Sequence, residues 1–453
     1  MGITRAAAAA AAVAPGSWEL QQHRRHSLRL MVVLIILTLI RSPLLEAQDT
    51  LQLASNLHPT DLGVLRAVKN AMTDLPGGTF FSSWDFSATG IDPCQMFAGV
   101  VCINIQGFSR VTLLSLGPEE AGLPGLNGTL PPELGYLPFL TQLSISPGAV
   151  SGPIPRSLGR LRNLNLFSCS QNLLTGSIPQ SLAGLQKLQV LQLSNNKLAG
   201  AIPSGIGSWP SLEFLVLSDN RLTGTIPMFS SSNSSTSTPP RAALNHLDLR
   251  NNELTGELMS DNLPSSLEFL SLTKNQFTGS IAAVGNLNKL KYLDLSFNQF
   301  SGEIPSSLFG FVGLSYLLLN RNQLSGPVIV NAEVTIKVVD LSFNLLVGSV
   351  SPFLAGAQIL YLNNNLFMGT IPQEFVTSLE ASTLQSLYLQ NNYLSNFGDL
   401  GTASIPPTVA VCVQYNCELP PPQSICPESQ GFVARPLTEC QVLGIKQNSC
   451  GHI

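Results

Sequence analysis

A glycine returns along most of this chain at a nearly fixed distance, and that period limits the possible folds more than any other feature. The series runs Gly128, Gly152, Gly176, Gly200, Gly224, Gly256, Gly279, Gly302, Gly326, Gly348 and Gly369, with Asn396 at the glycine place of a twelfth unit. The steps are 24, 24, 24, 24, 32, 23, 23, 24, 22, 21 and 27 residues. Four residues before most of these marks stands an asparagine, from Asn172, Asn196 and Asn220 through Asn365 and Asn392. The stretch Leu185–Pro203, LQKLQVLQLSNNKLAGAIP, gives the skeleton Leu-x-x-Leu-x-x-Leu-x-Leu-Ser-x-Asn-x-Leu-x-Gly-x-Ile-Pro.

Each residue type in that skeleton has a mechanical task. In Leu191-x-Leu193 the two leucines point inward from a short strand while their neighbours point outward, because side chains alternate along a strand. One repeat cannot bury its own apolar edge, so repeats must stack and share a core. The asparagine stands where the chain leaves the strand, and its buried amide needs backbone partners in its own and the adjacent coil. Glycine then permits a turn and proline forbids a long helix. Twelve strands stacked at roughly 4.8 Å span about 55–60 Å, with the strands exposed on a concave face. Cys169 occupies a core leucine place and reads as a small buried apolar residue.

Composition agrees with a packed repeat protein and excludes other classes. Hydrophobic residues make up 44% of the 453, too many for disorder, and the 37 glycines lack the three-residue period of collagen. The net charge is −4. Residues 1–47 hold five basic and two acidic side chains, which leaves 18 basic against 25 acidic, or −7, for the remainder. Such a surface does not attract nucleic acid. A basic, Ala-rich lead and the short apolar stretch Leu30–Ile40 describe a signal peptide over 1–47, cut near Ala47–Gln48. A retained signal anchor and an organelle transit peptide are the alternatives. No stable membrane span is expected later in the chain.

The outward strand positions are the candidate binding residues. Ten residues before the marking glycines come Phe214, His246, Phe269, Tyr292 and Tyr316; near eight come Asp248, Asp294, Asp340, Tyr361 and, from the twelfth unit, Tyr388. Further along the same strands come Arg250, Lys274, Phe297, Arg321 and Phe343. Exposed Tyr, Phe and Arg anchor protein recognition, with the charged residues supplying orientation. The bland alternative is that these rings cover the sheet and each other by cross-strand packing. Catalytic signals are missing: there is no phosphate-cradling Gly-Lys-Ser/Thr loop and no Gly-x-Ser-x-Gly elbow. His246 and Asp248 share one side of a strand and read as a surface pair rather than an acid/base dyad. No cofactor and no metal is implied. Asn127 and Asn233 head N-glycosylation patterns, the second within the Ser/Thr-rich insertion Met228–Ala243.

The Leu-x-Gly-x-Ile-Pro segment, with twelve near-matches, resembles that of the plant extracellular leucine-rich-repeat family: receptor-kinase ectodomains, receptor-like proteins and polygalacturonase-inhibiting proteins. The resemblance covers roughly residues 60–400. It implies an α/β solenoid, a right-handed leucine-rich-repeat superhelix of about 12 repeats with a concave parallel β-sheet and a cap at each end. The expected divisions are signal peptide 1–47, N-terminal cap 48–109, solenoid 110–400 and a Cys/Pro-rich C-terminal cap and tail 401–453. Asp61–Trp84 followed by Asp92-Pro93-Cys94 and Cys102 resembles the family's N-terminal cap, whose two cysteines pair; Phe97 stands where the family usually has tryptophan. The family often closes its last repeat with a nearby cysteine pair, which implies Cys412–Cys417. Five cysteines crowd the tail, and Cys450 is the candidate for the odd one left over. The function implied is that of a secreted recognition protein without a kinase domain. It would bind an extracellular protein or peptide ligand and partner a membrane receptor kinase, in defence or development. The alternative is an inhibitor of a secreted wall-degrading enzyme, from which the greater repeat number and longer tail depart.

Overall fold

Each coil places its paired leucines on a three- or four-residue strand and on the residue just after it. Leu191 and Leu193, Leu215 and Leu217, and Leu247 and Leu249 are all fully buried, and the first of each pair lies in register with its neighbours across Val190–Gln192, Phe214–Val216 and His246–Asp248. Among the residues described, these strands join in one 14-stranded sheet in sequence order. It opens with an antiparallel hairpin, Val100–Ile105 with Phe108–Leu116, and continues parallel to Ala410–Cys412, a strand beyond residue 400. The computed structural model describes residues 56–87, 90–118, 123–229, 244–421, 426 and 433–442. The expected signal segment, the sequon at Asn233 and Cys450 lie outside them. No helix among the described residues is long and apolar enough to cross a membrane.

A second sheet departs from the sequence expectation of a simple glycine turn. The segment around each marking glycine is itself a strand, as in Lys197–Ala201 and Arg221–Gly224; the twelve of them, ending at Tyr393–Asn396, pair into one sheet with the antiparallel strand Met72–Asp74 at its front, 13 strands in all. Coils of nearly equal length bring every such segment beside its equivalent, so their backbone groups pair with one another. The glycine remains obligatory at the start: Gly128 has φ +121°, and a Cβ there would lie 2.1 Å from the Ala71 carbonyl oxygen. The return segments are mostly short 3₁₀ helices entered from proline, such as Gln180–Gly184 after Pro179; Gln373–Glu380 is an α-helix of eight residues.

The asparagine ladder has the anticipated geometry in both directions. Asn275 Oδ1 accepts from the Leu254 amide at 3.0 Å, while its Nδ2 donates to the carbonyls of Leu249 and Leu272, each at 3.0 Å. Asn196, Asn252, Asn298, Asn322, Asn344 and Asn365 repeat the pattern.

Both ends are sealed. At the front, the helix Pro59–Ala71 buries Val64, Leu65 and Val68, with Met72 buried on the strand that follows. Its buried Asp61 takes a two-point contact from Arg110, Nη2 at 2.8 Å and Nε at 3.1 Å, plus the Val111 amide. Phe97 stacks on buried Trp84 with ring centroids 5.1 Å apart, and Cys94 is joined to Cys102.

At the back, the expected Cys412–Cys417 pair is replaced. Cys412 joins Cys426 and Cys417 joins Cys440. The reason is directional: Cys412 ends a strand on its outward side, opposite Tyr388, whereas Cys417 follows the left-handed turn at Tyr415 and the ladder Asn416. The two sulfurs therefore point to different faces, and each anchors a different tail segment. The tail also supplies part of a further rung, with the Tyr415 amide donating to Val433 and the Arg435 amide to Asn416. Cys169 is the free cysteine among the described residues; burial pushes its thiol up to about 12.

Candidate ligand-binding face

The outward positions of the long sheet fall into columns because the parallel register repeats from strand to strand. In the first column Phe214, His246, Phe269, Tyr292 and Tyr316 lie side by side on five consecutive strands. Their rings form one uninterrupted row. His246 stacks on Phe269 at 4.1 Å and Phe269 on Tyr292 at 4.6 Å, while Phe214–His246 and Tyr292–Tyr316 are tilted contacts at 5.6 Å each. The ring faces are turned toward one another. Edges carry the positive part of the aromatic quadrupole. Cross-strand packing and an accessible surface thus coexist: the rings do cover each other, and all but His246 remain partly exposed.

The second column carries Asp248, Ser271, Asp294, Leu318, Asp340, Tyr361 and Tyr388. Asp294 is buried and accepts from the Ser296 hydroxyl and amide, and from the Tyr292 hydroxyl at 3.3 Å. Asp340 is partly exposed and accepts likewise from Ser342. Tyr361 and Tyr388 touch at 4.9 Å, a second aromatic pair near the C-terminal end.

His246 and Asp248 occupy one strand but do separate work. Burial between Phe214 and Phe269 pushes the imidazole down to about 3, helped by the Arg250 charge, and its Nε2 has no hydrogen bond. Burial pushes Asp248 up to about 6 against the opposing pull of Arg250, whose Nη1 lies 3.0 Å from Oδ2 without hydrogen-bond alignment. Arg250 also reaches Asp219, at 3.7 Å. Both side chains are buried, so the pair expected at the surface is instead packed into the sheet with Arg250 as its balancing cation.

Lys274, Phe297, Arg321 and Phe343 require a correction. They do not continue the strands; they stand just past them, at the turn before each ladder asparagine, with φ of +56°, +53°, +56° and +56°. The same turn holds Asn195, Asp219, Asn251, Asn364 and Asn391 in other coils, residues that tolerate the left-handed region better. Rung-to-rung bonds hold the four in place: the Asn252 amide donates to the Lys274 carbonyl, Asn275 to Phe297, Asn298 to Arg321 and Asn322 to Phe343. On this rim cations and rings alternate. Lys274 Nζ lies 5.9 Å from the Phe297 ring, and the Arg321 guanidinium 5.1 Å from Phe297 and 4.0 Å from Phe343. Sequence reasoning found the residues but missed the turn. The signal was available, because each immediately precedes an asparagine of the ladder. It also missed an apolar outward patch at the N-terminal edge, where Val101 and Ile103 are exposed on the hairpin. Asn127 is exposed on the strand Leu126–Thr129.

The leucine rich repeat N-terminal domain family matches residues 58–103, and the leucine rich repeat family matches 187–209, 211–233 and 289–311. No curated protein sequence matches the chain. Among solved structures, the plant peptide hormone receptor RGFR1 in complex with RGF2 is 32% identical at TM-score 0.56, covering 64% of this chain and 45% of that one. The Arabidopsis receptor kinase HAESA, in complex with the peptide hormone IDA and the co-receptor SERK1, is 29% identical at TM-score 0.60, covering 79% and 58%. A plant ice-binding protein is 25% identical at TM-score 0.53, covering 83% and 100%. The chain thus spans about half the length of the two receptor chains it resembles.

Proposed function

Because this chain belongs to the plant extracellular leucine-rich-repeat family, we propose that it is an extracellular recognition protein that binds a peptide or protein ligand on the outward face of its long sheet. The observation that carries the reading is the row of five rings from Phe214 to Tyr316, with the partly exposed Asp340 in the adjoining column. Stacked coils hold these groups before any ligand arrives, so little ordering cost opposes binding. The two receptor ectodomains just described, each solved with a peptide hormone, support the same use of this scaffold. A membrane receptor kinase is the partner this reading assigns, by analogy with the co-receptor of HAESA. Export by removal of residues 1–47 and a glycan on Asn127 belong to the same proposal.

The test is a binding screen of extracellular peptides against the purified full chain. Tyr292→Ala combined with Tyr316→Ala should weaken capture of every peptide in a protein that still folds cooperatively. Undiminished capture by the double variant would overturn the assignment of this face.

A further inference from the structure

We propose that Arg321, clasped between Phe297 and Phe343, acts with Lys274 as an anion-recognition rim for the side-chain carboxylates of an extended peptide ligand. This rests on the ligand-binding reading above and names the chemistry of part of that ligand.

The comparison that points there lies within the molecule. Arg435 sits in the same kind of clasp, 4.1 Å from the Tyr393 ring and 4.6 Å from the Tyr415 ring. That guanidinium is neutralised: it meets Glu439 Oε2 at 2.7 Å and donates to the Asn392 carbonyl. Arg321 has the two rings and no acid. The ion pairs among the described residues involve Arg110, Arg250, Lys291 and Arg435, not Arg321 or Lys274. Both unpaired cations are exposed, and Phe297 and Phe343 are 43% and 38% exposed. A ring-stacked guanidinium keeps its planar N–H edge free while losing much of its rotamer freedom, which suits two-point binding of a carboxylate.

The backbone adds a second observation. Four successive coils place Lys, Phe, Arg and Phe in a left-handed turn where neighbouring coils use Asn. Lysine, arginine and phenylalanine tolerate that region less well than asparagine. Stability alone does not favour this alternation.

Spacing selects the ligand. Lys274 and Arg321 are two coils apart, roughly 10 Å at the spacing of paired strands, which a peptide extended in the polyproline II conformation covers in about three residues with side chains i and i+3 on one face. Carboxylates at positions i and i+3 of a ligand crossing the coils would meet both cations. An acidic polysaccharide is the less favoured occupant, because cations already lie over the Phe297 and Phe343 faces on which a sugar ring would stack.

The experiment uses fluorescent peptides of about 12 residues with two glutamates at i and i+3, at i and i+1, or replaced by glutamine, and polygalacturonate oligomers as a separate arm. Fluorescence anisotropy with the full chain is read at low and high salt. The i,i+3 peptide should bind about tenfold tighter than its glutamine form, with the gap shrinking in high salt. Arg321→Gln should erase the gap and Arg321→Lys restore part of it. Tyr292→Ala with Tyr316→Ala should weaken all peptides alike and preserve the ratio. A glutamate preference that survives Arg321→Gln overturns the rim but leaves the sheet face standing. Binding of polygalacturonate alone, or of no probe, overturns the rim and the peptide reading together.

Discussion

His246 and Phe269 lie face to face, ring centroids 4.1 Å apart and planes within 7° of parallel. A histidine is thereby held neutral in the middle of an aromatic row, two residues from a buried aspartate on the same strand. The two groups respond to acid in opposite directions.

The imidazole is depressed from 6.5 to about 3, so its contribution is complete above pH 6.5 and declines as pH falls toward 3. Asp248 is raised from 3.8 to about 6, so its contribution is complete below 3.8 and declines as pH rises through 6. Between about pH 4 and 6 the two slopes cancel. Stability measured by urea unfolding should be nearly flat there in the natural protein. Asp248→Asn should lose stability on acidification from pH 6.5, by at most about 1.4 kcal/mol per pH unit. His246→Phe should show the reverse slope. Identical flat profiles in both variants would refute the coupling.

Removing one rung of the ladder should cost far more than its surface area suggests. Asn275→Ala leaves the Leu254 amide without its buried acceptor and takes one of two side-chain amide donors from each of the Leu249 and Leu272 carbonyls. A loss of about 2–4 kcal/mol is expected. Hydrogen exchange should accelerate first at Leu254 and in the adjoining coils, because each coil leans on its neighbours. Uniform acceleration over the whole molecule would contradict this.

Phe297→Asn and Phe343→Asn should stabilise the chain, each by about 0.5–1 kcal/mol, because asparagine suits the left-handed turn better. The same changes should weaken binding of the glutamate peptide through looser positioning of Arg321. Chemical denaturation and anisotropy on the same samples check both signs, and a loss of stability would show that the rings are scaffold.

At the C-terminal end, peptide mapping without reduction should recover Cys412 linked to Cys426 and Cys417 linked to Cys440. Arg435→Ala should lower stability by about 1–2 kcal/mol, since it removes the clasped cation, its bond to Asn392 and its pairing with Glu439 together. A Cys412–Cys417 peptide would reject this closure.

The sequence alone determined the stacking. A period near 24, paired leucines and one asparagine per coil leave a chain no way to bury its apolar edge except against its neighbour, so the solenoid, its long sheet and the column carrying Phe214 to Tyr316 could be read without coordinates. Three things waited for the tertiary structure. Leu198-x-Gly200 reads locally as a turn, and becomes a strand because equivalent segments lie alongside it. The partners of Cys412 and Cys417 depend on which way each side chain leaves its coil, which spacing along the chain does not encode. Arg321 differs from any other surface arginine only through rings contributed by the coils before and after it, 24 and 22 residues away. A periodic pattern fixes which residues share a column, but the direction of each side chain within that column is set by packing between coils.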